Sequence, residues 1–204
     1  MSESTELLRY RDVRDRLVLD RDTTETLGRL TRLGIDPQKH QIESLTCRSG
    51  WLGRRRQTFA WSQLAGMGED GLQIDRSPDK AAERSPEQLY GLIGSELWTD
   101  AGDRIGWLTD YWFRPQTGAI ARYLYAARSS RDHYLLDPVG VSSAGNQRVI
   151  VLTSAIERAT PWQEEAPGGL ARLSRFWQRA RTRPQQETAS EGNSPTPTSP
   201  ADLS

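Results

Sequence analysis

The sequence is poor in sulfur, poor in histidine and free of long apolar runs. Its one cysteine, Cys47, permits no intrachain disulfide and suits a reducing compartment. Cys47 falls within a predicted strand and reads as a small buried apolar residue, not a nucleophile. His40 and His133 are the only histidines, and neither has a second Cys or His at ligand spacing, so no metal site is expected. Gly66-Met67-Gly68 lacks the lysine and helix that a phosphate-binding loop needs. No nucleophile elbow occurs. No cofactor and no enzyme activity are expected. No stretch approaches the roughly 18 apolar residues of a membrane span. Residues 1–16 are polar and charged, unlike a secretory signal. A cytoplasmic protein is expected. Neither sign of charge is in excess, with 27 basic against 27 acidic residues, which disfavours a dedicated nucleic-acid binder.

Aromatic residues and turn residues are abundant instead. Seven Trp and six Tyr can bury enough area to support small cores. They concentrate in residues 100–125, which read as turn, strand, turn, strand. Asp100-Ala101-Gly102 supplies the first turn and Arg114-Pro115-Gln116-Thr117-Gly118 the second. Ile105 to Phe113 and Ile120 to Tyr125 are rich in β-branched and aromatic residues and predict a hairpin. The same construction occurs earlier, displaced by about 78 residues. Leu19 falls on Leu97, Asp22 on Asp100, Gly28 on Gly106, Leu30 on Leu108, Pro37 on Pro115, Gln38 on Gln116 and Ile42 on Ile120. Matches at one spacing, with both turns among them, indicate an internal duplication. Each half is near the lower size limit for an independent core, so the two are expected to lean on each other.

Each half resembles the PRC-barrel domain, a small β-barrel family named after the photosynthetic reaction centre. The first half carries the resemblance in Leu17-Val18-Leu19-Asp20, Leu27-Gly28-Arg29-Leu30, Asp36-Pro37, Ile42 to Cys47, Phe59-Ala60-Trp61 and the run from Gly68 to Ile74. The second carries it in Leu92 to Leu97, Ile105-Gly106-Trp107-Leu108, Arg114 to Gly118, Ile120 to Tyr125, Tyr134-Leu135-Leu136 and Arg148 to Leu152. The second half departs from the pattern near Ser142 to Gln147. The resemblance implies an all-β fold of two tandem small PRC-type barrels. The expected organisation is a first barrel over 7–75, a linker over 76–87 and a second barrel over 88–160. A connector with a basic amphipathic segment follows over 161–183, then a disordered tail over 184–204. Short helices are expected over 7–16, from Ser85, and over 153–160, the last with a strand extension as the other reading.

Three features stand out as candidate contact surfaces. Trp51 with Arg54, Arg55 and Arg56 forms a predicted loop or hairpin tip. Strict alternation along residues 105–113 puts Trp107, Tyr111 and Phe113 on one face and Leu108 and Trp112 on the other. One barrel cannot take both faces inside, so one aromatic set, Trp112 among it, covers an internal contact or a partner. Leu170, Leu173, Phe176 and Trp177 make an apolar helical face, and Arg172, Arg175 and Arg179 crowd the remainder, as in a segment that meets anionic lipid or a protein groove.

The resemblance implies a non-catalytic adaptor whose partner is a protein complex. The reaction-centre H subunit points to an assembly factor or peripheral subunit on the cytoplasmic face of a photosynthetic membrane complex, with an anionic membrane surface as a further partner. The alternative is a ribosome-maturation role like that of RimM, which ends in a PRC barrel and would bring the arginines near RNA.

Overall fold

The computed structural model describes residues 7–50, 54–77, 89, 91–130, 132–145 and 147–163. The first set of elements is β1 (Leu8–Arg9), the single turn α1 (Tyr10–Val13), β2 (Leu17–Asp20), β3 (Thr26–Asp36), β4 (Gln41–Ser49), β5 (Arg55–Ala60), β6 (Leu64–Met67) and β7 (Gly71–Ile74). The second set is β8 (Glu96–Thr99), β9 (Arg104–Phe113), β10 (Ile120–Ala127), β11 (His133–Leu136), β12 (Val141–Ala144), β13 (Arg148–Val151), α2 (Thr153–Glu157) and β14 (Thr160–Trp162). The fold is all-β. The helix expected over 7–16 shrinks to one turn, because Leu8 and Arg9 pair with Phe113 and Trp112 of β9 instead. Arg55 and Arg56 lie on strand β5, not in a hairpin tip.

Two sheets form. One has the order β5-β4-β3-β2-β7-β6, and the other β12-β13-β8-β9-β10-β11-β14, with β1 added beside β9. Laid flat, six strands at about 4.8 Å would hold the outer two roughly 24 Å apart. Yet β5 and β6 are joined by a single 3-10 turn, Trp61–Gln63, and β11 and β12 by another around Pro138–Gly140. Each sheet therefore curls until β5 meets β6 in the first, and β11 meets β12 in the second, at a corner. No ladder joins either of those pairs among the described residues, so neither sheet closes into the expected barrel.

The two sheets correspond rung for rung. Leu30–Cys47, Arg32–Thr46, Leu33–Leu45 and Ile35–Ile42 in the first match Leu108–Tyr125, Asp110–Leu124, Tyr111–Tyr123 and Phe113–Ile120 in the second. Even the irregularities recur. Each long strand bulges at a threonine, and the hydroxyl of that residue donates across the ladder: Thr31 to the Thr46 carbonyl at 3.1 Å and Thr109 to the Leu124 carbonyl at 3.2 Å. Gly28 and Gly106 also coincide. A Cβ on Gly28 would collide with the Arg48 carbonyl, and one on Gly106 with the matching Ala126 carbonyl. The alignment slips by one residue at the start. Val18 pairs with Gly28 as Leu97 pairs with Gly106, so Leu97 answers to Val18, not Leu19. The connection from β2 to β3 is one residue longer than that from β8 to β9, and the slip is absorbed there.

A single core runs through both sheets. Val18, Leu30, Leu33, Ile35, Ile42 and Leu45 fill the first, and Leu97, Leu108, Tyr111, Phe113 and Tyr123 the second, all essentially inaccessible. Burying a large side chain of this kind stabilises the fold by about 1.5–3 kcal/mol. Rings interlock where the sheets meet: Tyr10 stacks on Tyr111 at 5.1 Å, and the Trp61 edge meets Phe113 at 5.9 Å. The two sheets belong to one compact unit ending at Gln163.

Candidate interaction surface

Residues paired directly across a ladder project from the same face of a sheet. On the first sheet one outward row therefore reads Gly71, Leu17, Arg29, Arg48, Arg56 across β7, β2, β3, β4 and β5. On the second the matching row reads Arg148, Glu96, Trp107, Ala126, His133, Trp162 across β13, β8, β9, β10, β11 and β14. The scaffold positions are equivalent, but the chemistry is not.

The first row is basic. Arg29, Arg48 and Arg56 are exposed and stand side by side on neighbouring strands, with exposed Arg54 and Arg55 next to them. Arg29 Nη1 donates to the Asp15 carbonyl at 2.8 Å, and among the described residues no carboxylate forms an ion pair with any of the five. Like charges placed opposite each other destabilise a ladder, so this row costs the free protein a little stability.

The second row is aromatic and internally neutralised. Glu96 accepts from Trp98 Nε1 at 3.0 Å and pairs with Arg104 at 3.0 Å and Arg148 at 3.5 Å. The indole hydrogen bond, together with the two guanidinium groups, holds its carboxyl below the usual range. Arg104 lies 4.8 Å over the Trp107 ring and Arg148 lies 5.7 Å over Trp98. These Trp and Arg side chains, half-buried except for the exposed Arg148, are the residue types enriched at binding hot spots.

Trp112 stands apart from that row. Its ring and that of Trp162 enclose the Arg9 guanidinium, 4.9 Å and 4.6 Å from the two ring centres, and Arg9 Nε lies 2.6 Å from Asp110. Burial raises the Asp110 carboxyl above its ordinary value, against the N–H of Tyr111, the Arg9 charge and the N–H of Arg11. Trp112 is thus largely committed to an internal staple that ties β1 and β14 to β9. The expected division of faces along β9 is also corrected. The bulge at Thr109 shifts the alternation, so Leu108, Tyr111 and Phe113 point inward while Trp107 and Trp112 point outward.

A cleft of about 300 Å³ opens between the halves, lined by Tyr10, Thr31, Arg32, Gly91, Ile93 and Tyr111 among others. Tyr10 donates to the Thr31 carbonyl at 3.0 Å, and Arg32 donates to the Leu89 carbonyl at 2.5 Å. Burial raises both phenols above their ordinary value, Tyr111 the further. They therefore stay protonated at neutral pH and offer O–H donors, not bases.

Trp51 and the segment carrying Leu170, Arg172, Leu173, Arg175, Phe176, Trp177 and Arg179 lie outside the described residues. Arg54, Arg55 and Arg56 come together with Arg29 and Arg48, which sequence reasoning passed over because only the strand register makes them neighbours. Arg9, Asp110 and Trp162 were missed for the same reason. Comparison with protein-family models and with curated proteins finds no match for this chain.

Proposed function

We propose that this protein is a non-catalytic adaptor that docks a larger complex through two differently furnished faces. One observation carries the reading: a scaffold repeated rung for rung presents Arg29–Arg48–Arg56 on one half and Trp107–Ala126–His133 at the same positions on the other. Repetition inside a scaffold serves folding. Different outward rows on that scaffold serve contacts with different partners. An arginine row with no ion-paired carboxylate among the described residues costs the chain stability, and an anionic group meeting it offsets that cost.

The resemblance to PRC-barrel domains supplies the narrower reading. Each half is read as an open PRC-type module. The protein is read as an assembly factor or peripheral subunit on the cytoplasmic face of a photosynthetic membrane complex, with the basic segment within 161–183 meeting anionic lipid. Affinity purification of the tagged full chain, from native membranes and separately from ribosome fractions, tests this. Co-migration with a photosynthetic complex is expected. Co-migration with ribosomal subunits would favour the RimM-like alternative, and recovery of the chain alone from both would overturn the adaptor reading.

A further inference from the structure

The two halves differ at one edge. On the second sheet β11 does not end the row, because β14 pairs with it through His133–Trp162, Tyr134–Pro161 and Leu135–Thr160. On the first sheet the corresponding strand β5 is terminal, and no element covers its far side among the described residues. Arg48 pairs with Arg56 as Ala126 pairs with His133, so Arg56, Gln57 and Thr58 are the counterparts of His133, Tyr134 and Leu135. Those are the three residues that hold β14. The second half displays, within the same molecule, how this edge is occupied: by a short extended segment added antiparallel.

We propose that the open edge of β5 is a strand-addition site for an extended, acidic segment of a protein partner. The proposal rests on the adaptor reading and names the partner's chemistry at one of its faces. A strand laid along β5 would continue the outward row Arg29, Arg48, Arg56 by one position, the place Trp162 holds on the second sheet. A carboxylate there would stand beside Arg56, with Arg54 and Arg55 close along the chain. Main-chain hydrogen bonds to the edge would supply affinity and the arginines selectivity. The same arginines exclude a second copy, since two β5 edges would bring like charges together, which is how natural edges avoid self-pairing. An acidic strand is the occupant this guard admits.

The test uses the full chain and a fluorescent octapeptide of alternating Glu and Val, read by anisotropy. A charge-matched peptide with every amide N-methylated cannot extend a sheet but keeps its charges. Single-stranded oligothymidylate and phosphatidylglycerol vesicles represent the other polyanions. The expected result is binding of the Glu-Val peptide, weakened about tenfold or more by N-methylation and by Arg48→Gln with Arg56→Gln. Thr58→Pro, which obstructs the edge, should act likewise, and the peptide should slow amide exchange along β5. Equal binding of the N-methylated peptide would reduce the site to charge alone and overturn the proposal. So would tighter binding of the oligonucleotide or the vesicles. The comparison of peptides on the unaltered protein does not depend on how any variant folds. If peptide binding fails while a complex still co-purifies, this edge is wrong and the adaptor reading stands. If both fail, the adaptor reading falls as well.

Discussion

Gln41 forms a lone antiparallel bridge with Ala119, the residue that holds Gln41's own place in the second half. A contact between two equivalent positions lies on the axis that relates the halves. The flanking bonds confirm the two-fold character: Ile42 N–H donates to the Gly118 carbonyl at 2.9 Å, and Ile120 N–H donates to the His40 carbonyl at 2.8 Å. His40 and Gly118 are equivalent, and both have left-handed backbone, at φ 50° and 74°. The junction is thus isologous in its backbone, with those main-chain bonds made twice, as in a symmetric dimer. Here one chain supplies both sides.

Gly118→Ala should be costly at this axis. A Cβ there would lie 2.8 Å from the Ile42 carbonyl oxygen and 2.9 Å from Trp61 Nε1, in backbone that already disfavours a side chain. Gly102 has φ 93° but nothing within 4 Å of an added Cβ. Both alanines share the conformational cost, about 1–2 kcal/mol. Only Gly118→Ala adds collision, so it should unfold at lower urea than Gly102→Ala. Equal midpoints would show that the axis contact tolerates bulk.

Asp110→Asn should destabilise the protein by about 3 kcal/mol, because it removes the carboxylate that lies 2.6 Å from the largely buried Arg9 guanidinium. Side-chain exposure is 12% for Arg9 and 3% for Asp110. Adding Arg9→Met should recover most of the loss, since an unbranched apolar chain fits between Trp112 and Trp162. A double variant as unstable as Asp110→Asn alone would mean that the pair is not the source of the effect. Urea denaturation of the three variants decides.

Much of the scaffold was legible in the sequence. Gly28 and Gly106 within the strands and Pro37 and Pro115 in the turns aligned the halves, because close backbone approach and turn geometry each restrict residue choice strongly. The faces of β9 were misread, since a bulge at Thr109 reverses alternation and leaves no mark in composition. β6, β12 and β14 were missed or only offered as one reading, being three or four residues long with Gly, Ser or Pro among them. The arginine row was half visible. Arg54, Arg55 and Arg56 are consecutive, but Arg29 and Arg48 join them only through register. The Arg9–Asp110 pair spans a hundred positions, and nothing local announces it.

Glu96 makes stability depend on acid. Its carboxyl is held below its unfolded value by Trp98, Arg104 and Arg148. A depressed carboxyl contributes stability that is fully present above the unfolded value and is lost as pH falls through the folded one. Glu96→Gln should therefore be less stable than the parent at pH 7, and the gap should narrow below about pH 4. Intrinsic tryptophan fluorescence in denaturant titrations at the two pH values reads this. A gap that persists unchanged in acid would assign the effect to shape instead of charge.

The leading segments cross between halves, and this makes the halves interdependent. Tyr10 precedes the first sheet, yet it stacks on Tyr111 of the second, and neighbouring Arg11 donates its N–H to Asp110 at 3.3 Å. Leu89 precedes the second sheet, yet its carbonyl accepts from Arg32 of the first. Arg32 and Asp110 are equivalent positions, so a guanidinium takes the carbonyl of one segment where a carboxylate takes the N–H of the other. Truncating Tyr10 to alanine removes a buried ring, a cost of about 3 kcal/mol or more. The loss should register where the ring packs and not where it sits in sequence. Native-state hydrogen exchange of Tyr10→Ala should speed exchange in β9, around Tyr111 and Trp112, more than in β7. Exchange that rises only in the first sheet would sever the link between the segment and the second half. A uniform rise in both sheets would instead report global destabilisation through their shared core, and substituting Phe for Tyr10, which keeps the ring, should then restore β9 alone only if the local stack is what protects it.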